Sequence, residues 1–103
     1  MKLFALGKLR EAVQQATGLD ITHVYEDLVF VEHSPFLIRF DHDDLTKVYA
    51  HFNIDCDTED KEKLLGRLVD TASMEGLNCV DAARFTLEPV DGKEEIRINF
   101  LPN

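Results

Sequence analysis

From Phe40 to Asp57 the chain reads FDHDDLTKVYAHFNIDCD, which places five Asp, two of its four His and one of its two Cys in one stretch. These residue types hold metals: imidazole and thiolate suit zinc-like ions, and carboxylates suit harder cations. A site needs the ligands to converge. Lys47 to Cys56 alternates strictly, so it is expected to be a strand whose successive side chains point to opposite faces. Val48, Ala50, Phe52, Ile54 and Cys56 share the apolar face, while Lys47, Tyr49, His51, Asn53 and Asp55 share the wet one. The pleat therefore separates Cys56 from His51. The His51–Asp55 pair can still act together, with Asp41 across the sheet as a third ligand, although Arg39 stands beside Asp41 to neutralise it. The turn residues His42, Asp43 and Asp44 are no calcium loop, because DHDDLTKVYAHF lacks the required Gly and closing Glu. No metal or other cofactor is expected.

Other catalytic signatures are missing. The sequence has no G-x-S-x-G elbow and no phosphate-cradling glycine loop. Cys79 follows a helix C-terminus, the end that disfavours a thiolate, and Cys56 sits on an apolar face, so both read as structural thiols. Glu59, Asp60, Glu62 and Glu75 read as a solvated helix face, and Glu26–Asp27 and Glu94–Glu95 as charges at turns. His23 and His33 stand alone. No catalytic residue is assigned.

The elements follow from periodicity. Leu3, Leu6, Leu9, Ala12, Val13 and Ala16 make the stripe of an amphipathic helix over Leu3 to Thr17, which Gly18 stops. Thr22 to His33 is β-rich, with Leu28 to Glu32 its firmest part and Glu26–Asp27 a point of interruption. Pro35 to Asp41 and Lys47 to Cys56 are the next strands. Asp57 and Thr58 then cap a helix with Leu64, Leu65, Leu68, Val69 and Ala72 as its stripe, which Gly76 ends. Gly66 lies inside that helix on a flank shared with Glu62 and Ser73, where a second copy of the helix would find close approach. Ala82 to Glu88 and Glu94 to Leu101 are the last strands, joined through a hairpin turn at Asp91–Gly92. The expected fold is one α+β domain over residues 1–103, with a mainly antiparallel five-stranded sheet, two helices and the order α-β-β-β-α-β-β.

Twenty acidic against eleven basic residues give a net charge of −9. No basic face is available to displace counterions from nucleic acid or to seek anionic lipid. The apolar run at the start ends at Gly7–Lys8, too short for a secretion signal, so a cytoplasmic location is expected. The charge instead suits a protein partner with a basic surface.

The segments LGKLREAVQQATG, LVFVEH, PFLIRF, KVYAHFNID, DKEKLLGRLVDTASMEG, ARFTLEP and EIRINF, taken in order, resemble the type III secretion chaperone fold. That resemblance covers Leu3 to Phe100 as element order. It implies a small, acidic, cytoplasmic homodimer without enzymatic activity, with the helix Glu59 to Glu75 and its Gly66 at the dimer contact. The leading expectation is a non-enzymatic, homodimeric, chaperone- or adaptor-like module. Its protein-binding residues would be Leu3 and Phe4 at the first helix, Leu37 on the sheet and Gly66 on the second helix. A toxin-neutralising immunity protein is the alternative within the binding class. A small metal-assisted enzyme using His51 and Asp55 is the alternative from another class.

Overall fold

Leu9, Ala12, Val13 and Ala16 lie three or four residues apart and form the buried stripe of α1 (Leu6–Thr17) in the computed structural model, which describes residues 5–92 and 96–101. The expected start of this helix at Leu3 lies outside the described residues. Gly18, with φ 74°, adopts the left-handed conformation that ends the helix, and its N–H donates to Gln14 O at 2.8 Å.

The β-rich stretch after α1 breaks at Glu26–Asp27 into β1 (Ile21–Tyr25) and β2 (Leu28–Val31). With β3 (Phe36–Phe40) and β4 (Lys47–Phe52) they form an antiparallel meander. Cross-strand partners share a face. Val29 opposite Ile38, Ile38 opposite Ala50, Phe40 opposite Val48 and Phe36 opposite Phe52 thus make one apolar surface, all of it buried. The second helix, α2 (Thr58–Met74), is started by Asp57, whose carboxylate accepts from the Glu59 N–H at 3.0 Å. Both helices cover this same face, Leu68 and Ala72 of α2 joining the α1 stripe over the sheet. Thr71 Oγ1 donates to Ala12 O at 2.9 Å and ties one helix to the other.

Three features differ from the sequence expectation. The main sheet has five strands but is mixed. After α2 the chain reverses at Gly76 (φ 77°) and enters β5 (Asn78–Asp81), which pairs with β4 in parallel. The strand–helix–strand crossover was not legible because β5 has four residues, and Asn78 and Asp81 are poor strand formers. The last two strands, β6 (Phe85–Pro89) and β7 (Ile96–Phe100), do not extend the main sheet as expected but form their own two-stranded sheet. The order is therefore α-β-β-β-β-α-β-β-β.

The other difference is where β4 stops. It ends at Phe52 rather than running to Cys56. Asn53 Oδ1 accepts the Asp55 N–H at 2.9 Å, and Asn53 O accepts the Cys56 N–H at 2.9 Å. This turn takes Ile54 off the apolar face and leaves it 46% exposed, while Cys56 is half-buried at the margin of the core.

Candidate functional site

The acidic connection between β3 and β4 is closed on itself. Asp41 Oδ1 accepts the N–H groups of Asp43 (2.7 Å) and Asp44 (2.9 Å), and Asp41 Oδ2 accepts the Tyr49 hydroxyl at 2.6 Å. These donors, the Tyr49 hydroxyl foremost, hold the Asp41 carboxyl down at about 2. Asp44 Oδ1 in turn accepts the N–H and hydroxyl of Thr46, at 3.0 and 2.6 Å. Asp27 Oδ2 and His42 Nε2 lie 3.0 Å apart. The carboxylates that look like ligands in the sequence fold the loop instead. Among the described residues no group of three His, Cys, Asp or Glu is arranged to hold a metal.

His51 is not on a wet face, contrary to the alternation argument: it is 4% exposed. Its cover is the chain's own C-terminal part. The Phe100 ring of β7 lies 4.6 Å from the imidazole, centroid to centroid, at 56°. Arg39 Nε donates to His51 Nε2 at 3.4 Å, which makes Nδ1 the protonated nitrogen, and Nδ1 donates to Ala83 O at 2.7 Å. Both ring nitrogens are thus engaged, leaving no lone pair for a metal. Burial, reinforced by the Arg39 charge and opposed by the hydrogen bond to the Ala83 carbonyl and the Asp81 charge, pushes the imidazole pKa below its ordinary value. Asp55 lies exposed in the turn beyond β4, so the structure does not bring it together with His51 as a ligand pair.

The segment that covers His51 is pinned at several points. Ala82 N–H donates to Ala50 O (3.0 Å), Ile54 N–H to Phe85 O (2.9 Å) and Leu101 N–H to Arg84 O (2.8 Å). Arg84 Nη2 donates to the carbonyls of Cys56 and Asn53. Leu37, opposite His51, and Phe85 are both fully buried yet stand outside the helix-side core. They mark a small second core on the outer face of the sheet.

Beyond this seam the β6–β7 hairpin is amphipathic. Phe85 pairs with Phe100, Leu87 with Ile98 and Pro89 with Ile96, so one face carries six apolar side chains. Thr86 opposite Asn99 and Glu88 opposite Arg97 form the polar face. The apolar face is covered unevenly: Phe85 is fully buried, Leu87 and Ile98 are half-buried, and Phe100, although packed on His51, is 45% exposed and Ile96 67% exposed. The alternation in each strand is visible in the sequence, but which strand pairs with which is decided by the register.

The four expected protein-binding positions fare differently. Leu3 and Phe4 lie outside the described residues. Leu37 is sealed beneath the seam and presents no surface. Gly66 is exposed in mid-α2, and a Cβ built there would meet nothing within 4 Å. The same flank carries the exposed Val69 and Ser73, which line an open hollow of about 310 Å³ with Thr46 and the Gly76–Cys79 segment.

A second open hollow, also of about 310 Å³, gathers His33, Ser34, Pro35, Asn53, Asp55 and Cys56. His33 (φ 63°) and Ser34 (φ 50°) hold left-handed backbone here, in the turn between β2 and β3. The residue types suggest a nucleophile, but burial raises the Cys56 pKa and keeps its thiol protonated. Both amide ends of Asn53 are occupied, by Asp55 N–H and Ser34 O. Cys79, buried beneath α2 and next to the Asp81 charge, is pushed up to about 11. No helix among the described residues is long and apolar enough to cross a membrane. Compared with known proteins, the chain matches no family model, no curated protein and no solved structure.

Proposed function

We propose that this chain is a non-enzymatic, cytoplasmic protein-binding module of chaperone or adaptor type, working as a homodimer. The observation that carries the reading is the β6–β7 hairpin, whose apolar face is only partly covered and leaves Ile96 and much of Phe100 exposed to solvent. An isolated two-stranded hairpin is marginal in water, and apolar residues left outward on one are a contact surface. The net charge of −9 steers the module toward a partner with a basic surface. The dimer contact is the α2 flank around Gly66. A mid-helix Gly costs about 1 kcal/mol against Ala, and among the described residues nothing packs closely enough against Gly66 to require one there.

Light scattering tests the dimer. The expected mass is twice that of the 11.8 kDa chain, reduced to a single chain by Gly66→Leu; a strict monomer at high concentration would remove the homodimer. Suppression of aggregation of reduced lysozyme, a basic unfolded client, tests the binding surface. Suppression lost in Ile96→Asp supports the hairpin, and no suppression by the native protein counts against chaperone action.

A further inference from the structure

We propose that His51 is an acid-operated latch on the β6–β7 hairpin: protonation of its imidazole undocks the hairpin from the outer face of the main sheet while the helix-covered face stays folded. The inference stands on the seam itself and not on the binding role of the hairpin.

Four features meet at this ring. His51 Nδ1 donates to Ala83 O, in the segment that leads into β6, and the ring packs on Phe100 of β7. One side chain of β4 thus touches both ends of the hairpin base. The third feature is Arg39 of β3, whose Nε–H donates to His51 Nε2. A second proton on the imidazole would sit on Nε2, turn that acceptor into a donor and set an imidazolium against a guanidinium. Arg39 has little freedom to leave, because its guanidinium carbon stacks over the Tyr49 ring at 4.3 Å. The last is burial: His51 is 4% exposed, so water cannot solvate the new charge unless the cover lifts.

The groups around the ring set the sign. From β3 comes Arg39, which opposes the charged form. From β5 comes Asp81, which favours it but is already paired with Lys61 of α2 at 3.0 Å. Tyr49, on the same face of β4, has its hydroxyl committed to Asp41. β7 contributes the uncharged Phe100 ring, and Arg84 is turned to the carbonyls of Asn53 and Cys56. Desolvation is the largest cause and lowers the pKa in the docked state. The undocked state therefore binds more protons below pH about 6.5, the ordinary histidine value. Docking is at full strength above that pH and weakens as pH falls through it. The main sheet does not share the liability, because the titratable groups of its helix-side core are the thiols of Cys79 and Cys56, which burial raises and keeps neutral as pH falls. The hairpin does, since two strands alone are marginal and depend on their dock.

Amide hydrogen exchange on the full chain tests the latch, with protection corrected for the intrinsic pH dependence. Between pH 7.5 and 5.5 the amides of β6 and β7 should lose up to about tenfold protection relative to β3 and β4, the limit for a docked ring that stays neutral. His51→Asn, which keeps a donor for Ala83 O and cannot titrate, should abolish that selective loss. Equal losses in both proteins, or a fall of hairpin and main sheet together, would overturn the proposal. An NMR titration of the native protein gives the answer without a variant. The His51 ring should titrate below the ordinary histidine value, and Phe100 ring and Ala83 to Phe85 amide signals should move with the same midpoint. Titration at or above the ordinary value, or without a response in the hairpin, counts against it.

Discussion

The two faces of the main sheet are covered in different ways. On one face, two helices lay an unbroken apolar stripe over Val29, Ile38, Phe40, Val48, Ala50, Phe36 and Phe52. On the other, a single hairpin docks by its base over Leu37 and His51 and leaves half its own apolar residues outside. The first face is stabilised by burial, and its buried thiol, Cys79, is pushed up to about 11 and stays neutral. The second is held by a few hydrogen bonds around an imidazole. Global stability should therefore reside in the first face, and partner contact and environmental response in the second.

Substitution at the helix-covered face should have the largest effect. Phe36 is fully buried and packs against the Phe52 ring at 5.5 Å. Phe36→Ala is expected to cost about 3–5 kcal/mol in urea unfolding, followed by far-UV circular dichroism, with the whole fold lost together. On the other face, Phe100→Ala should cost only about 1 kcal/mol, roughly half the burial value of a Phe, and should loosen the hairpin before the sheet. A Phe100→Ala loss as large as that of Phe36→Ala would erase the difference between the faces.

Smaller effects sharpen the contrast. Cys79 lies beneath α2 with its thiol at about 11, and Cys56 is half-exposed at the edge of a hollow. A thiol reagent at neutral pH should label Cys56 slowly and Cys79 only after unfolding. Labelling of Cys79 in the native state would mean that the helix cover opens as readily as the hairpin. The smallest effect concerns Asp41, held at about 2 chiefly by the Tyr49 hydroxyl. Because its folded value is depressed, its contribution to stability is present above the ordinary carboxylate pKa and is lost as pH falls toward 2. Tyr49→Phe should move the Asp41 titration, followed by NMR, up toward the ordinary range. An unmoved Asp41 would assign its depression to the Asp43 and Asp44 amides alone.

Much of this was legible from residue pattern. Periodicity located α1, α2 and the meander, the Glu26–Asp27 break and the alternation in β6 and β7, because each reports one face of one element. The candidate site was legible only in pieces. His51 was read as facing water because its neighbours on that side of β4, Lys47, Tyr49 and Asn53, are polar. A polar face accepts cover where the covering segment satisfies it, here through Ala83 O and Phe100. Asp41 read as a third ligand beside His51 and Asp55 because composition does not say whose N–H groups will claim a carboxylate.

By itself the sequence determined a chain of net charge −9 with α+β patterning, two helices that each carry an apolar stripe, and a hairpin with an apolar side. These follow from local period and net charge, which need no knowledge of neighbours. Only the tertiary structure decided that β5 pairs in parallel with β4, that both helices lie on one face, and that the C-terminal hairpin folds back over His51 and Leu37. Those are contacts between segments far apart in the chain, and many pairings satisfy the same alternation. The one adopted buries Phe85 and Leu37 while giving both nitrogens of His51 a partner.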